Sequence, residues 1–524
     1  MMTSRTVAAL AEDALQRLGE RDSLLFQGER VSNVTILDRA RRLQRAFAGL
    51  GLGKGNVATL CMVNHPLVYS VFGGIFRTGG TAVPMMFQLT PAELNYIIGH
   101  TEAQGVVTDA SLVVKVREAV KGLPHVKWIA VLGGPDNPAA TPPEYSLEGL
   151  LQAAPQLELP PMDSEDIALM LYTSGTTGRP KGVMLSNRNL MAMAEATLDA
   201  QQLHARPHPM ITLSGMPMAH IFGVGVMIGG YTYPKDYPAP ITIQEVWFES
   251  ERFMQLIQQH KVTDMPAVPT MLAMMLAHPN AAKYDLTSLV KVDVGAAPLP
   301  VEVADAFAQK AKCYIRQLYG MTENTGVASA GRINQPYRRG SAGLPYCNVE
   351  LRIHDDNDNP LPPGQPGEIV TRGPSVMKGY FKDPAATAIA MRGGWLHTGD
   401  IGQLDEDGWL FVVDRKKDMI IKGGENVFPA EVENVLYRHP AVAEAAVIGV
   451  PHKLYGEDIV AFVVKHAGNE TSSEQIIAHI KKDLSSFKAP SQVFFIAQLP
   501  KSGVGKILRR ELRDVYAKEA AAAK

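Results

Sequence analysis

Short apolar segments alternate with amphipathic segments through the first two thirds of the chain. Uninterrupted apolar runs that end in turn residues predict buried strands, and these runs begin at Val57, Gly105, Lys127, Ile167, Met210 and Lys291. Apolar residues at helical spacing lie between many of the runs, as in Glu251–Lys261. Because strands that alternate with helices build sheets covered by helices, the pattern predicts an α/β fold with layered, mainly parallel sheets.

The pattern changes beyond residue 340. Residues 351–373 predict a strand, a turn-rich loop and a second strand, which is typical of an antiparallel β subdomain. A strand predicted to end at Asp414 is followed by a basic pair and by a helix with Pro429 in its first position. The remaining predicted elements are strands at 445–450, 458–464 and 493–496 and a helix at 473–484. We therefore predict a large N-terminal domain of α/β sheets plus a β subdomain (1–413), a hinge (414–417) and a small mobile α+β C-terminal domain (418–524).

Composition and charge exclude several classes of protein. The 524 residues are 46% hydrophobic and 20% charged, which is ordinary for a globular enzyme of more than one domain. The net charge of −2 gives no bulk attraction for nucleic acid, and Cys61, Cys313 and Cys347 are too few and too far apart for a disulfide framework. Neither a secretory signal nor an apolar run of the roughly 18 residues that span a membrane is present. These features predict a cytoplasmic protein, with peripheral membrane contact through a local patch left open; an oligomer is compatible with the sequence.

The segment YTSGTTGRPKG, residues 172–182, has the chemistry of a phosphate-binding loop. It does not fit the Walker spacing, because Pro180 stands where the second glycine is required and Gly182 stands where Ser or Thr is required. Its glycines still let backbone N–H groups converge on an anion, and its hydroxyl groups and Lys181 add donors and charge. We interpret the loop as lying at a sheet edge, between the strand that precedes it and a capped helix that begins near Ser186. A polar surface turn is the simpler alternative.

Residues 172–190 resemble the signature of the adenylate-forming superfamily, which comprises acyl-CoA synthetases, aryl-CoA ligases, non-ribosomal adenylation domains and beetle luciferases. Other motifs of that family follow in order: MPMAHIFG from Met216, VGAAPLP from Val294, QLYGMTEN from Gln317, GWLHTGD from Gly394, DRKKDMIIKGGENVFPAEVE from Asp414 and LPKSGVGKILRREL from Leu499. The set covers almost the whole chain and is far more specific than any one motif. The resemblance implies an AMP-forming acid–thiol ligase that uses ATP, Mg²⁺ and coenzyme A. A carboxylate would attack ATP to give acyl-AMP and pyrophosphate, and coenzyme A would then give acyl-CoA and AMP.

The resemblance also implies residue roles in nucleotide binding and catalysis. The phosphates of ATP would be held by Thr173, Ser174, Gly175, Thr176, Thr177, Gly178 and Lys181. The AMP moiety would contact Gly295, Ala296, Ala297, Tyr319, Gly320, Thr322, Asp400 and Arg415, with Tyr319 stacked on adenine. Glu323 and Thr176 would hold Mg²⁺, and Lys506 would reach the forming adenylate together with Thr322.

A second group of implied roles concerns the acid, the thiol and the motion between half-reactions. His220, Val224, Gly225 and Gly320 would form the acyl pocket, with His220 as a gate or orienting group. Lys417 would be the hinge about which the C-terminal domain rotates. The rotation would bring up the residues that face coenzyme A, which are Lys422, Gly423, Gly424 and Glu425.

Each of these residues has an ordinary structural interpretation when it is taken alone. Tyr319 could be a core aromatic residue, Asp400 a turn cap, Lys506 a solvated lysine and His220 a satisfied core histidine. The ordered set of motifs favours the functional interpretation. The sequence departs from the family pattern at Ala219, Val504 and Asn324, none of which replaces a named catalytic group.

The acid itself is predicted to be hydrophobic. Gly320 stands where relatives specific for acetate or propionate carry a bulky Trp, and residues 221–230 are apolar and glycine-rich, without Arg or Lys. We therefore expect a medium- or long-chain fatty acid. An aromatic or alicyclic acid, a carrier-protein thiol as acceptor, a luciferase-like oxygenase and a non-enzymatic nucleotide-binding scaffold are the alternatives.

Overall fold

The computed structural model describes residues 5–173, 179–205, 209–335, 337–466, 468–501 and 507–522. The predicted phosphate-loop residues Ser174–Gly178 and Lys506 lie outside these ranges. Within the described residues, no helix is long and apolar enough to cross a membrane. The three cysteines are unpaired.

The first part of the chain builds most of an eight-stranded sheet. The strands in this part of the chain are β1 (Asp22–Phe26), β2 (Glu29–Ser32), β3 (Val57–Cys61), β4 (Thr81–Pro84), β5 (Gly105–Asp109), β6 (Trp128–Leu132), β7 (Glu144–Ser146), β8 (Ile167–Thr173) and β9 (Lys181–Ser186). Its helices are α1 (Val7–Leu18), α2 (Asn33–Gly49), α3 (Pro66–Thr78), α4 (Pro91–Thr101), α5 (Val113–Ala119), α6 (Leu147–Leu150) and α7 (Asn187–Gln201). Strands β3 to β9 join this sheet, whereas β1 and β2 join the second large sheet.

The next part completes the second large sheet, which has nine strands. The strands are β10 (Ile211–Ser214), β11 (Ile241–Gln244), β12 (Asp264–Ala267), β13 (Lys291–Val294), β14 (Tyr314–Tyr319), β15 (Ser329–Ala330) and β16 (Leu344–Pro345). The helices are α8 (Ile221–Gly229), α9 (Ser250–His260), α10 (Pro269–Ala277) and α11 (Val301–Ala311). The strand order is β16-β15-β14-β13-β12-β10-β11-β1-β2, and the central pairs from β14 to β1 are parallel.

The predicted antiparallel β subdomain follows. Strands β17 (Glu350–His354), β18 (Gly367–Arg372), β20 (Leu396–Leu404) and β21 (Leu410–Arg415) pair antiparallel in that order, while β19 (Gly379–Tyr380) returns to the first sheet beside β9 and precedes α12 (Pro384–Ala390).

The last part of the chain forms a separate sheet with its own helices. Its strands are β22 (Ile420–Lys422), β23 (Glu425–Val427), β24 (Val442–His452), β25 (Gly456–Lys465) and β26 (Gln492–Phe495), and its helices are α13 (Pro429–Leu436), α14 (Ser473–Asp483) and α15 (Arg509–Ala522). This arrangement confirms the predicted fold class of a large α/β part and a small C-terminal part. The boundary at 414–417 stays a prediction.

The strand and the capped helix predicted on either side of the phosphate loop are confirmed, but one element between them, β9, was not predicted. The loop after β8 leads into β9, which pairs antiparallel with β8, and not directly into the helix. Val183 and Leu185 lie two residues apart in β9, and both are fully buried. Burial of every second residue is typical of a strand, because alternate side chains point to the same face of the sheet. The helix α7 begins only after Ser186, whose side chain accepts a hydrogen bond from the Asn189 N–H in a capping box.

Candidate active site

A cavity of about 1830 Å³ lies where the carboxyl ends of β8, β13 and β14 face the C-terminal residues. In sheets of this type, ligands bind at the carboxyl ends of the strands. Predicted site residues that line the cavity are Thr173, Lys181, His220, Gly225, Gly295, Ala296, Gly320, Thr322, Glu323, Asp400, Arg415 and Lys417. These residues come from six of the seven predicted motif regions of the sequence, which therefore meet at one cavity.

Asp400 and Arg415 form the pair predicted to bind ribose. They face each other across β20 and β21, and Arg415 Nε lies 3.3 Å from Asp400 Oδ1. Asp400 is also the acceptor for the hydroxyl of Tyr319, at 2.8 Å. Two donors therefore fix the orientation of this buried carboxylate at the cavity wall.

Tyr319 is not among the residues that line the cavity, and its predicted stacking on adenine stays a prediction. Leu318 and Gly320 line the cavity, so strand alternation turns the side chain of Tyr319 to the opposite face of β14. There it packs beside the buried core of the β subdomain. Burial, together with the charge of Asp400, raises the pKa of Tyr319 well above its ordinary value. In this structure Tyr319 is a neutral hydroxyl that positions Asp400.

Glu323 lies in the short 3₁₀ turn Thr322–Asn324 directly after β14, and it is only 6% exposed. Its Oε1 accepts a hydrogen bond from the Tyr380 hydroxyl at 3.0 Å. Burial raises the pKa of Glu323, which means that the nearby cations compensate its negative charge only in part. A bound cation would supply the missing compensation.

Tyr380 is a site residue that the sequence did not predict. The Lys181 ammonium lies 5.0 Å from the centre of the Tyr380 ring, so the tyrosine stands between Lys181 and Glu323. It reaches this place because β19 pairs with β9, almost 200 residues away in the sequence. A two-residue strand with such a distant partner has no local pattern that would reveal it.

The magnesium site fits the residues that the structure describes. Mg²⁺ is usually bound by one or two carboxylates together with substrate phosphate oxygens and water. Glu323 supplies one buried carboxylate beside the phosphate-loop strand, and no cluster of three or more His, Cys, Asp or Glu side chains suited to a metal occurs in the described ranges. One buried carboxylate suits an ion that shares its ligands with the substrate phosphates. Thr176 lies outside the described residues.

His220 precedes α8 and acts as its N-cap. Its Nδ1 accepts a hydrogen bond from the Phe222 N–H at 3.2 Å, and the ring lines the cavity. Three residues on, a Cβ at Gly223 would lie 2.3 Å from the Pro217 carbonyl oxygen, so only glycine permits this close turn. The MPMAHIFG motif is therefore a rigid support that presents His220 to the cavity.

Two of the acyl-pocket predictions need correction. Val224 is fully buried in the main core and does not line the cavity, because α8 turns Gly225 and Val226 toward it instead. Gly320 does line the cavity, but a Cβ there would meet the Gly326 carbonyl oxygen at 2.3 Å. The glycine is therefore required by a close backbone approach, and its small size is not evidence for a deep pocket. Ala297 also lies outside the lining, although its neighbour Ala296 is part of it.

Two segments of the C-terminal part of the chain line the cavity. Lys416 and Lys417 line the cavity, as do Ile507–Arg510, which follow Lys506 directly in the sequence. The predicted coenzyme A residues Lys422, Gly423, Gly424 and Glu425 do not line it. They form the tight β22–β23 hairpin, where both glycines have positive φ and Lys422 pairs with Asp458 at 2.7 Å.

A network of buried charges surrounds the predicted hinge. The Asp414 carboxylate accepts the Ala430 N–H at the start of α13, at 2.8 Å, and Arg509 pairs with Glu433 at 2.7 Å. Burial raises the pKa of Asp414 to about 6. Burial, followed by the charge of Arg415, lowers the pKa of Lys417. The hydrogen bond from the Ala430 N–H to Asp414 joins the end of the β subdomain to α13, the helix that follows the predicted hinge. This bond therefore depends on the present orientation of the C-terminal part.

The chain matches two family models. The model described as AMP-binding enzyme matches residues 11–381, and the model described as AMP-binding enzyme C-terminal domain matches residues 431–506. A feruloyl-CoA synthase from Amycolatopsis sp is 34% identical over 484 residues, which are 92% of this chain and 93% of the relative. A long-chain-fatty-acid–CoA ligase from Bacillus subtilis (strain 168) is 31% identical in an alignment that covers 98% of this chain and 95% of the relative.

A solved structure is similar along the whole chain. The anthranilate CoA ligase AuaEII, in complex with anthranoyl-AMP, has a TM-score of 0.89 and 26% sequence identity. The similarity covers 99% of this chain and 98% of that one. The small C-terminal sheet is included in the coverage.

Proposed function

The chain belongs to the AMP-binding enzyme family, and from that premise we propose that it is an ATP-dependent, AMP-forming acyl-CoA synthetase for a medium- or long-chain fatty acid. The observation that carries the choice of acid is the length of the cavity. It does not end at the nucleotide residues but continues past α8 to the first three helices of the chain.

This continuation, which we call the apolar arm, has the chemistry of an alkyl-chain site. It is lined by Val7, Ala8, Ala11, Leu15, Leu24, Ile36, Leu37, Phe76, Val226 and Met227. Each methylene that leaves water for such surroundings contributes about 0.8 kcal/mol. An acid whose carboxylate lies at Gly320 and Thr322 can extend its chain into the apolar arm.

The first half-reaction requires positioning and compensation of charge. Lys181 and the preceding loop hold the phosphates that leave as pyrophosphate, and Asp400 and Arg415 hold the ribose. Glu323 and Thr176 would hold Mg²⁺, which when bound would supply positive charge beside the phosphates. Lys506 places a cation beside the carboxylate as it attacks the α-phosphate, which stabilises the transition state of this half only.

The second half-reaction requires a different face of the C-terminal domain. Rotation about Lys417 carries Lys506 away and brings the hairpin with Lys422–Glu425 toward the acyl-adenylate, where the thiol of coenzyme A attacks. This agrees with a structure in which Ile507–Arg510 face the cavity and the hairpin does not. It supports the proposal that the present orientation serves adenylate formation.

Gly229 offers a test of the apolar arm. It is the last residue of α8, it lines the cavity, and a Cβ at this position would meet no atom within 4 Å. Gly229→Leu should fill the apolar arm without straining the helix. If the new side chain keeps two methylene groups of the acid out of the arm, the lost burial would cost about 1.6 kcal/mol, which lowers kcat/KM about tenfold. We expect kcat/KM for palmitate to fall by at least that factor while octanoate and benzoate are affected much less.

Gly49→Leu is the matched control. Gly49 also ends a helix and has no atom within 4 Å of a Cβ, but it is exposed and does not line the cavity. The control should leave the order of substrates unchanged. Equal losses for all acids in Gly229→Leu, or a wild-type enzyme that turns over cinnamate and benzoate but not fatty acids, would contradict a long-chain substrate.

Turnover of cinnamate and benzoate but not of fatty acids would favour an aromatic acid–CoA ligase. The specific support for that alternative is the feruloyl-CoA synthase among the relatives and the anthranilate ligase among similar structures. The same panel of acids therefore decides between the two candidates.

A further inference from the structure

The strand β20 has a bulge directly before Asp400, the residue proposed to hold the ribose. Between two paired positions, residues 398–400 of β20 lie opposite Ile369 of β18 alone. Bulges occur next to active sites, where they change the direction in which a side chain points. Gly399, at the centre of this bulge, has a φ of 70°, a conformation that favours glycine. The bulge therefore determines where the Asp400 carboxylate stands in the cavity.

The side chain of Glu368 holds this bulge in place. Glu368 lies in β18, is only 7% exposed and lines the cavity. Its Oε1 accepts a hydrogen bond from the Gly399 N–H at 3.1 Å, and bonds from a backbone N–H to a carboxylate are stronger than those between neutral groups. The Gly399 carbonyl accepts the Lys416 N–H at 2.9 Å. Both backbone polar groups of Gly399 are therefore bound, and the partner of its N–H is a side chain that can be replaced without altering the backbone.

The other oxygen of Glu368 faces three basic side chains. Its Oε2 lies 3.3 Å from Arg392 Nη2, 3.3 Å from His397 Nδ1 and 3.9 Å from Lys416 Nζ. A carboxylate accepts on two oxygens, whereas an amide has only one acceptor oxygen. A glutamine at this position could therefore serve the Gly399 N–H or the basic side chains, but not both. Because protein groups engage both oxygens, Glu368 acts on the bulge and not on a substrate.

We propose that Glu368 is a positioning residue of the ribose site and acts on Asp400 through the bulge at Gly399. This inference rests on the proposed function, in which Asp400 and Arg415 hold the ribose. The Asp400 carboxylate is oriented by the Tyr319 hydroxyl and by Arg415. Those contacts fix the end of the side chain, whereas Glu368 fixes the backbone from which the side chain extends. Both are needed to place the carboxylate where it accepts the ribose hydroxyls.

The test compares the binding of ATP with that of 2′,3′-dideoxyATP, which lacks both ribose hydroxyls. Dissociation constants are measured by calorimetry with Mg²⁺ and without an acid. In the wild type, the Kd for dideoxyATP should exceed the Kd for ATP about tenfold or more, since hydrogen bonds to charged groups have effects of that size. Glu368→Gln should lower this ratio about threefold or more, as expected for residues that are coupled through contacts. A merely structural effect would weaken the binding of both nucleotides and leave the ratio unchanged.

Two further variants examine the path from Glu368 to Asp400. Glu368→Asp keeps the charge beside the basic side chains but draws the carboxylate back from Gly399 by one C–C bond, about 1.5 Å, so the ratio should fall in this variant as well. When Glu368→Gln is combined with Asp400→Asn, it should cause no further fall in the ratio, because the two residues then act in one chain of contacts.

Glu350→Gln is the matched control. Glu350 lies in β17, beside β18 in the same sheet, pairs with Arg352 at 2.6 Å and does not line the cavity, so the ratio should stay at the wild-type value. A wild-type ratio near one, or a wild-type ratio retained by both Glu368 variants, would overturn the inference. Additive losses from Glu368→Gln and Asp400→Asn would also overturn it, because they would show independent action. Failure of the proposed function has a different sign, which is a wild type that binds ATP but releases no AMP with any acid.

Discussion

Glu323→Gln should lower the rate of acyl-adenylate formation by about 100-fold or more. The substitution keeps the size of the side chain but removes the only predicted carboxylate ligand of Mg²⁺. The rate is measured as acid-dependent release of pyrophosphate, with hydroxylamine present to trap the adenylate. The loss should persist when the Mg²⁺ concentration is raised, if the carboxylate of Glu323 is required for the reaction itself and not only for affinity for Mg²⁺.

Stability provides an internal check on this variant. Because burial raises the pKa of Glu323, its ionised form is penalised in the folded state at pH values above that pKa. A neutral glutamine avoids the penalty, so the free energy of unfolding at neutral pH should be equal or higher in Glu323→Gln. Tyr380→Phe is the matched control, since it removes the hydroxyl that donates to Glu323 but keeps the ring beside Lys181. Near-normal adenylate formation by a folded Glu323→Gln enzyme would contradict the role of Glu323.

Lys417→Pro should slow thioester formation by about 100-fold, which corresponds to about 2.7 kcal/mol in activation free energy, while adenylate formation changes much less. Lys417 lies in a turn closed by the Asp418 N–H and the Arg415 carbonyl, at 3.0 Å. Proline fixes φ near −65° and restricts the residue before it, so it limits the backbone rotation that a hinge requires. The two half-reactions are measured separately, as hydroxamate formation and as loss of free thiol from coenzyme A with chemically prepared acyl-AMP.

Lys417→Ala distinguishes the backbone effect from the charge effect. It removes the same ammonium group but leaves φ and ψ free, so its thioester formation should remain much closer to that of the wild type. Equal losses in both half-reactions for Lys417→Pro, or equal behaviour of the proline and alanine variants, would contradict a hinge at this position.

Features that are local in the sequence could be predicted well. The family match confirms the adenylate-forming chemistry predicted from the ordered motifs, and the relatives are named as CoA ligases, so the chain is an acyl- or aryl-CoA ligase. Asp400 and Arg415 were assigned to one ribose site, and β20 and β21 bring them together. A motif carries this information because its residues are fixed by the strand or turn on which they lie.

Features that depend on orientation or on distant pairing could not be predicted. The motif around Tyr319 does not specify which face of β14 lines the cavity, and the apolar sequence of α8 does not specify that Val224 points into the core. Tyr380 and Arg21 reach the cavity through tertiary contacts that leave no local pattern. The sequence of α8 contains no Arg or Lys, whereas the structure brings Arg21 to the cavity from the N-terminal region.

The most direct measurement of the central claim is the nucleotide product formed from ATP in the presence of palmitate, by the wild type and by Lys506→Met. The account predicts AMP and pyrophosphate in amounts that match trapped acyl hydroxamate, and a loss of at least about 100-fold in Lys506→Met but not in the exposed α15 control Lys518→Met. Formation of ADP and phosphate by the wild type, or undiminished acid-dependent AMP formation by Lys506→Met, would contradict it.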